Sequence, residues 1–129
     1  LQTSTVTMMV VSKFIDMFDL DEHVATIKEC YRKRRDVMIE TMEKEFPPEA
    51  KFTHPNGGLF TWVELPEYIN TNEMAKQCLA RNVAYVPGDG FFPDAGHNNC
   101  IRLNYSCMPE DKIVKGITAL CQTIRENLR

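Results

Sequence analysis

Between Val6 and Leu20 the apolar residues Val6, Met8, Met9, Val10, Val11, Phe14, Ile15, Met17, Phe18 and Leu20 fall all round a helical wheel rather than on one stripe. A helix apolar on every side needs burial on every side, so part of this surface is expected to meet another domain or subunit. A second helix is predicted from Asp19, where Asp19 and Glu22 have capping-box spacing. It carries Val24, Ile27, Tyr31, Met38 and Met42 at helical intervals and is ended by Pro47-Pro48. Lys51 to His54 and Leu59 to Leu65 then flank Pro55-Asn56-Gly57-Gly58, a hairpin signal in which Asn-Gly tolerates positive φ at both central positions. In the second strand Leu59, Thr61, Val63 and Leu65 alternate with Phe60, Trp62 and Glu64. Both sets are largely apolar, which predicts a central strand covered on both faces.

Farther along, Asn70 and Glu73 cap a short helix through Met74, Cys78 and Leu79 that ends near Asn82. A strand is expected at Val83 to Val86, running into Pro87-Gly88-Asp89-Gly90-Phe91-Phe92, and another at Cys100 to Tyr105 after the loop Pro93 to Asn99. The last helix opens at Pro109 with Glu110 and Asp111 in its first turn and the stripe Ile113, Ile117, Leu120, Ile124 and Leu128. The order ααββαββα predicts an α+β fold: a small mixed or antiparallel sheet of roughly three to four strands with helices packed on it, preceded by two N-terminal helices.

Composition narrows the class. The chain has 129 residues, 43% hydrophobic and 26% charged, which excludes disorder and collagen-like repeats. No apolar run reaches the roughly 18 residues of a membrane span. Fifteen Lys+Arg against 18 Asp+Glu leave a net charge of −3, which argues against nucleic acid as the main partner. The basic run Arg32-Lys33-Arg34-Arg35 fits a solvated helix face balanced by Glu29, Asp36 and Glu40. Five scattered cysteines suit neither a zinc site nor a disulfide framework. Cys78 and Cys121 lie on apolar stripes, as core thiols of a reducing cytoplasm do. The Asn104-to-Ser106 glycosylation pattern carries no weight without a signal peptide.

Arg102 is the sharpest candidate for chemistry. With Ile101, Leu103 and Tyr105 facing a core, Arg102 and Asn104 occupy the opposite face of their strand. A guanidinium on a rigid strand can hold a carboxylate by two parallel hydrogen bonds. A surface arginine on a half-exposed strand would leave the same pattern. Pro87-Gly88-Asp89-Gly90 lacks the spacing of a phosphate loop and reads as a tight turn. His23, His54 and His97 stand apart from the cysteines and from each other, so no metal site or His-assisted nucleophile is expected.

Four blocks in order carry a resemblance: Tyr31-Arg32-Lys33-Arg34-Arg35-Asp36, Pro55-Asn56-Gly57-Gly58-Leu59-Phe60-Thr61-Trp62, Val86-Pro87-Gly88 with Phe91-Phe92, and Ile101-Arg102-Leu103-Asn104-Tyr105-Ser106. Together they resemble the C-terminal small domain of class I/II, fold-type I pyridoxal-phosphate aminotransferases, in the branch of aminoadipate, kynurenine and aromatic aminotransferases. The resemblance spans essentially the whole chain. It implies residues 1–20 as an apolar helix continuing from an absent large domain, and 21–129 as the small domain. It makes Arg102 the residue that binds the substrate α-carboxylate. Pro87, Gly88 and Phe91 are placed near the substrate entrance, and the Gly-Gly-x-Phe-x-Trp block is left a structural part. Leu1 to Thr5 resemble a segment close to the active site in the family's homodimer.

The parent implied is a cytoplasmic, dimeric transaminase using pyridoxal 5′-phosphate to move an amino group between an L-amino acid and a 2-oxo acid. None of the eight lysines sits in the Ser-x-x-Lys setting of the family's Schiff-base lysine. This chain alone is therefore expected to be inactive and to bind no cofactor, and it starts at Leu1 as a fragment would. Two other readings stay open. One is an aminotransferase-like sensing domain of a transcription regulator, which an upstream helix-turn-helix would reveal. The other is a stand-alone binding or oligomerisation module.

Overall fold

A computed structural model describes residues 2–129, in two compact units: the stretch up to Cys30, and Tyr31–Arg129. Leu1, where the segment Leu1 to Thr5 and the predicted first helix segment begin, lies outside the described residues.

In the first unit, α1 (Thr5–Met17) has no buried residue. It stops three residues short of the predicted end because Phe18 turns extended, with φ −128° and ψ 146°. That frees Asp19 to cap α2 (Leu20–Glu45): its Oδ1 accepts from the backbone N–H of Asp21 at 2.9 Å and of Glu22 at 3.1 Å. These bonds satisfy donors that the start of any helix leaves unpaired.

The second unit is built on an antiparallel sheet of four strands, β1 (Lys51–Phe52), β2 (Phe60–Glu64), β3 (Val86–Pro87) and β4 (Cys100–Asn104), in the order β1-β2-β4-β3. With α3 (Thr71–Ala80) and α4 (Glu110–Asn127) it forms the α+β small-domain architecture. Alternation along β2 and β4 sends Thr61, Val63, Ile101 and Leu103 into the core. There Met42, Met74, Ile113, Ile117, Leu120 and Ile124 meet them from the helices. Asn70 caps α3 as its sequence predicts, accepting from Asn72 and Glu73. The helix ends in a Schellman pair, Asn82 N–H to Leu79 O and Val83 N–H to Cys78 O, with Asn82 left-handed at φ 59°.

Three expectations change. The predicted strand Val83 to Val86 shrinks to Val86–Pro87, because the Val83 N–H is spent on the helix cap. The Asn56-Gly57 turn does not form as a two-residue hairpin: in that stretch only Gly58 has a positive φ, +86°. A longer loop is pinned there instead, since Tyr105 Oη donates to Gly57 O at 2.9 Å and Arg35 Nη1 to Asn56 O at 2.9 Å. Finally, β2 is central as predicted but covered on one face. The other carries Phe60, which is exposed, and Trp62, which is partly covered by Phe91 and Phe92.

The basic run is likewise more than a solvated face. Arg34 and Arg35 are half-buried; Arg34 donates to Ser106 O, and Arg35 grips both Asp36 and the loop. Arg32 keeps the expected surface pairing with Asp36, at 3.6 Å. Among the described residues no helix is long and apolar enough to cross a membrane.

Candidate functional site

The middle of β4 places Arg102 between two neighbours, opposite Trp62 of β2 and Val86 of β3. Its side chain leaves the core face and lies on the open face of the sheet, as the alternation predicts. The guanidinium carbon sits 4.1 Å from the centre of the Phe60 ring and 4.4 Å from that of Phe91. Nε is buried without a hydrogen-bond partner, and no ion pair engages the head group among the described residues. An idle surface arginine would be solvated. Here a permanent cation is stacked on aromatic faces, partly stripped of water, with its donors unspent. Such a group attracts an anion far more strongly than one in bulk solvent.

The approach to Arg102 comes from the segment after β3. Pro87 pairs with Ile101, and the Gly88 N–H donates to Cys100 O at 2.7 Å. The 3-10 turn Asp89–Phe91 follows, closed by the Phe91 N–H bonding to Gly88 O at 3.0 Å. Gly88 is obligatory for space rather than for φ. A Cβ there would lie 2.6 Å from Cys100 Cβ and 2.8 Å from Trp62 Cη2. Trp62 in turn meets the Phe91 ring edge-on, with centroids 5.8 Å apart at 82°. The structure therefore brings Phe91 onto Arg102 and packs Gly88 underneath, while Pro87 stays in the strand.

The far end of β4 is tied down by its own sequence. Asn104 Oδ1 accepts from the N–H groups of Ser106 at 2.9 Å and Cys107 at 3.2 Å, a local turn that ends the strand. Tyr105 is buried, and its phenol is pushed up by burial, an effect that Arg35 opposes. A cavity of about 550 Å³ is lined in part by Arg102, Phe60 and Val86 and otherwise by core residues including Met38, Leu103 and Ile117 with Lys112 of α4.

Other chemistry is weak. The buried thiols of Cys78, Cys100 and Cys121 are each pushed up, chiefly by burial, which keeps them protonated and poor nucleophiles near neutrality. His54 pairs with Glu43 and His97 with Asp94, both at 3.2 Å and both near the surface. No group of three His, Cys, Asp or Glu among the described residues could hold a metal ion.

The neighbour of Arg102 that the sequence leaves a structural part is Phe60, whose ring lies under the guanidinium. Its signal was present in the alternation, since Phe60 and Trp62 share a face. What brings that face to Arg102 is the β2–β4 register, Trp62 opposite Arg102 and Phe60 opposite Asn104, which no local pattern encodes.

Known proteins resemble this chain in sequence and fold. The family description "Aminotransferase class I and II" matches residues 1–120. The chain is 40% identical over 127 residues to aromatic-amino-acid aminotransferase 1 of Thermococcus litoralis, covering 98% of this chain and 30% of that protein. Its fold superposes on the multiple substrate aminotransferase of Thermococcus profundus with a TM-score of 0.82 and 42% identity, over 88% of this chain and 28% of that one. With the alpha-aminoadipate aminotransferase of Thermus thermophilus, solved with N-(5′-phosphopyridoxyl)-L-leucine, the TM-score is 0.86 and the identity 30%, over 92% and 30% of the two chains. The chain thus spans under a third of the length of these relatives.

Proposed function

This chain belongs to the class I and II aminotransferases, and we propose that it supplies the substrate-carboxylate clamp of a pyridoxal-phosphate transaminase acting on L-amino acids and 2-oxo acids. The observation that carries this reading is the state of Arg102: a rigidly based guanidinium, stacked on two rings, with no anionic partner among the described residues.

The residues of this chain do not by themselves fit the cofactor. Around Arg102 stand two phenyl rings and strand neighbours, and among the described residues no cup of donors for a phosphate surrounds it. The lysines that share a cavity lining with Arg102, Lys112 and Lys115, belong to α4, whose buried stripe packs on the opposite face of the sheet. Amino-group chemistry therefore rests on parts of the protein outside this chain. What this chain contributes is orientation. Substrate and product of a transamination share one carboxylate, and fixing that group with two parallel hydrogen bonds sets where the neighbouring carbon stands. Pro87, Gly88 and Phe91 border the approach.

The test is Arg102→Lys in the full-length protein. The variant keeps the charge and loses the fork, and roughly ten- to a hundredfold is expected on KM for the amino acid, the worth of one charge-assisted hydrogen bond. Unchanged KM and kcat would overturn the assignment.

A further inference from the structure

We infer that Phe60 and Phe91 are positioning residues for substrate binding: their rings hold the Arg102 guanidinium in the plane from which its N–H fork can meet a carboxylate. The inference rests on the reading of Arg102 as the carboxylate clamp. An arginine head group rides on a stem with several free rotors, and a two-pronged contact needs its plane fixed. Arg34, Arg35, Arg81 and Arg125 are held by side-chain hydrogen bonds, as Arg81 is by Thr123 and by Glu126 at 2.7 Å. Arg102 has no such anchor among the described residues. A hydrogen-bonded anchor would use the donors that a ligand needs, whereas an aromatic face constrains the cation without engaging an N–H.

Both rings lie against the Arg102 guanidinium at the surface of the sheet. Phe60 is 39% and Phe91 48% exposed, so neither is a core residue. Phe60 is fixed by its place on β2, one diagonal step from Arg102 across the ladder. Phe91 is fixed by the turn at Gly88 and by the edge of Trp62. The closeness of Gly88 to Trp62 and Cys100 is what lets that turn lie low enough for the ring to reach Arg102.

The experiment uses the full-length protein saturated with pyridoxal phosphate and whichever of L-phenylalanine, L-leucine and L-glutamate it turns over fastest. Phe60→Leu and Phe91→Leu keep an apolar side chain of similar bulk and remove the ring face. Each is expected to raise KM roughly fivefold or more, the worth of one partly desolvated cation–π contact. The kcat should stay within about twofold, because ground-state and transition-state binding weaken together. Phe60→Tyr and Phe91→Tyr restore the face and should restore KM. Leucine variants with unchanged KM, or with a loss in kcat that tyrosine does not rescue, would overturn the inference. Arg102→Lys separates it from the reading beneath it. If that variant raises KM while the leucine variants do not, the inference alone falls; if it leaves KM unchanged, both fall.

Discussion

Adding one methyl group at Gly88 should loosen the whole approach to Arg102. In Gly88→Ala the new Cβ would stand 2.6 Å from Cys100 Cβ, 2.8 Å from Trp62 Cη2 and 2.9 Å from the Cys100 carbonyl carbon. Two of these neighbours belong to Cys100, one of them backbone, and Cys100 is buried in the sheet. Relief therefore requires the segment after β3 to move away from β4. That movement lengthens the 2.7 Å bond from the Gly88 N–H to Cys100 O and pushes on an indole that also carries Phe91 and Phe92. Overpacking with the loss of one backbone hydrogen bond amounts to roughly 2–3 kcal/mol, or about 1–2 M in a urea midpoint for a chain of this size. Equilibrium urea unfolding followed by tryptophan fluorescence reads both the stability and, through Trp62, the displacement. Gly90→Ala, where a Cβ meets nothing within 4 Å, is the control and should shift the midpoint little. A Gly88→Ala midpoint indistinguishable from that of Gly90→Ala would refute the close-packing account.

Two further predictions follow from ionisation. Arg81 donates to both oxygens of Glu126, at 2.9 and 2.7 Å, linking the end of α3 to α4, and this bonding, opposed by partial desolvation, holds the Glu126 carboxyl below its ordinary 4.5. A carboxyl depressed by folding adds stability above its unfolded value and loses it as pH falls through the folded one. In urea midpoints taken from about pH 7 down to about pH 3, Glu126→Gln should therefore lie below wild type at neutrality and converge with it in acid; parallel curves would contradict this. Of the thiols, Cys107 is exposed while Cys78, Cys100 and Cys121 are buried and shifted upward by burial. A thiol-reactive chromophore should label Cys107 rapidly in the native chain and those three only on unfolding, whereas fast labelling in a Cys107→Ser variant at any of the three would show the core to be more open than described.

Local signals were legible wherever the physics was local. Asn70 reads as a cap because its side chain satisfies donors two and three residues away, and Arg102 reads as standing apart from Ile101 and Leu103 because a strand alternates. What escaped was set by distant parts of the chain. Asn56-Gly57 has the composition of a two-residue turn, yet Arg35 and Tyr105 hold its carbonyls from 21 and 48 residues away, and those bonds outweigh a local preference of a fraction of a kcal/mol. Arg34 and Arg35 looked like surface charge because nothing in a run of basic residues says which of them faces a carbonyl. Phe60 looked structural because its partner is reached only through the strand register.

These long-range contacts also join the four separated sequence blocks to one another. Arg34 of the first block bonds Ser106 of the fourth, and Arg35 bonds Asn56 of the second. Tyr105 of the fourth bonds Gly57 of the second, and Gly88 of the third bonds Cys100, the residue just before the fourth. Each block thus fastens β4 or its flanking loop, at one end or the other, and Arg102 stands between the fastened ends. The carboxylate clamp proposed for Arg102 needs supporting residues locked as firmly as itself. The four blocks, far apart in sequence, therefore meet at one strand, and their bonds hold both of its ends, with the Arg102 cation at its centre.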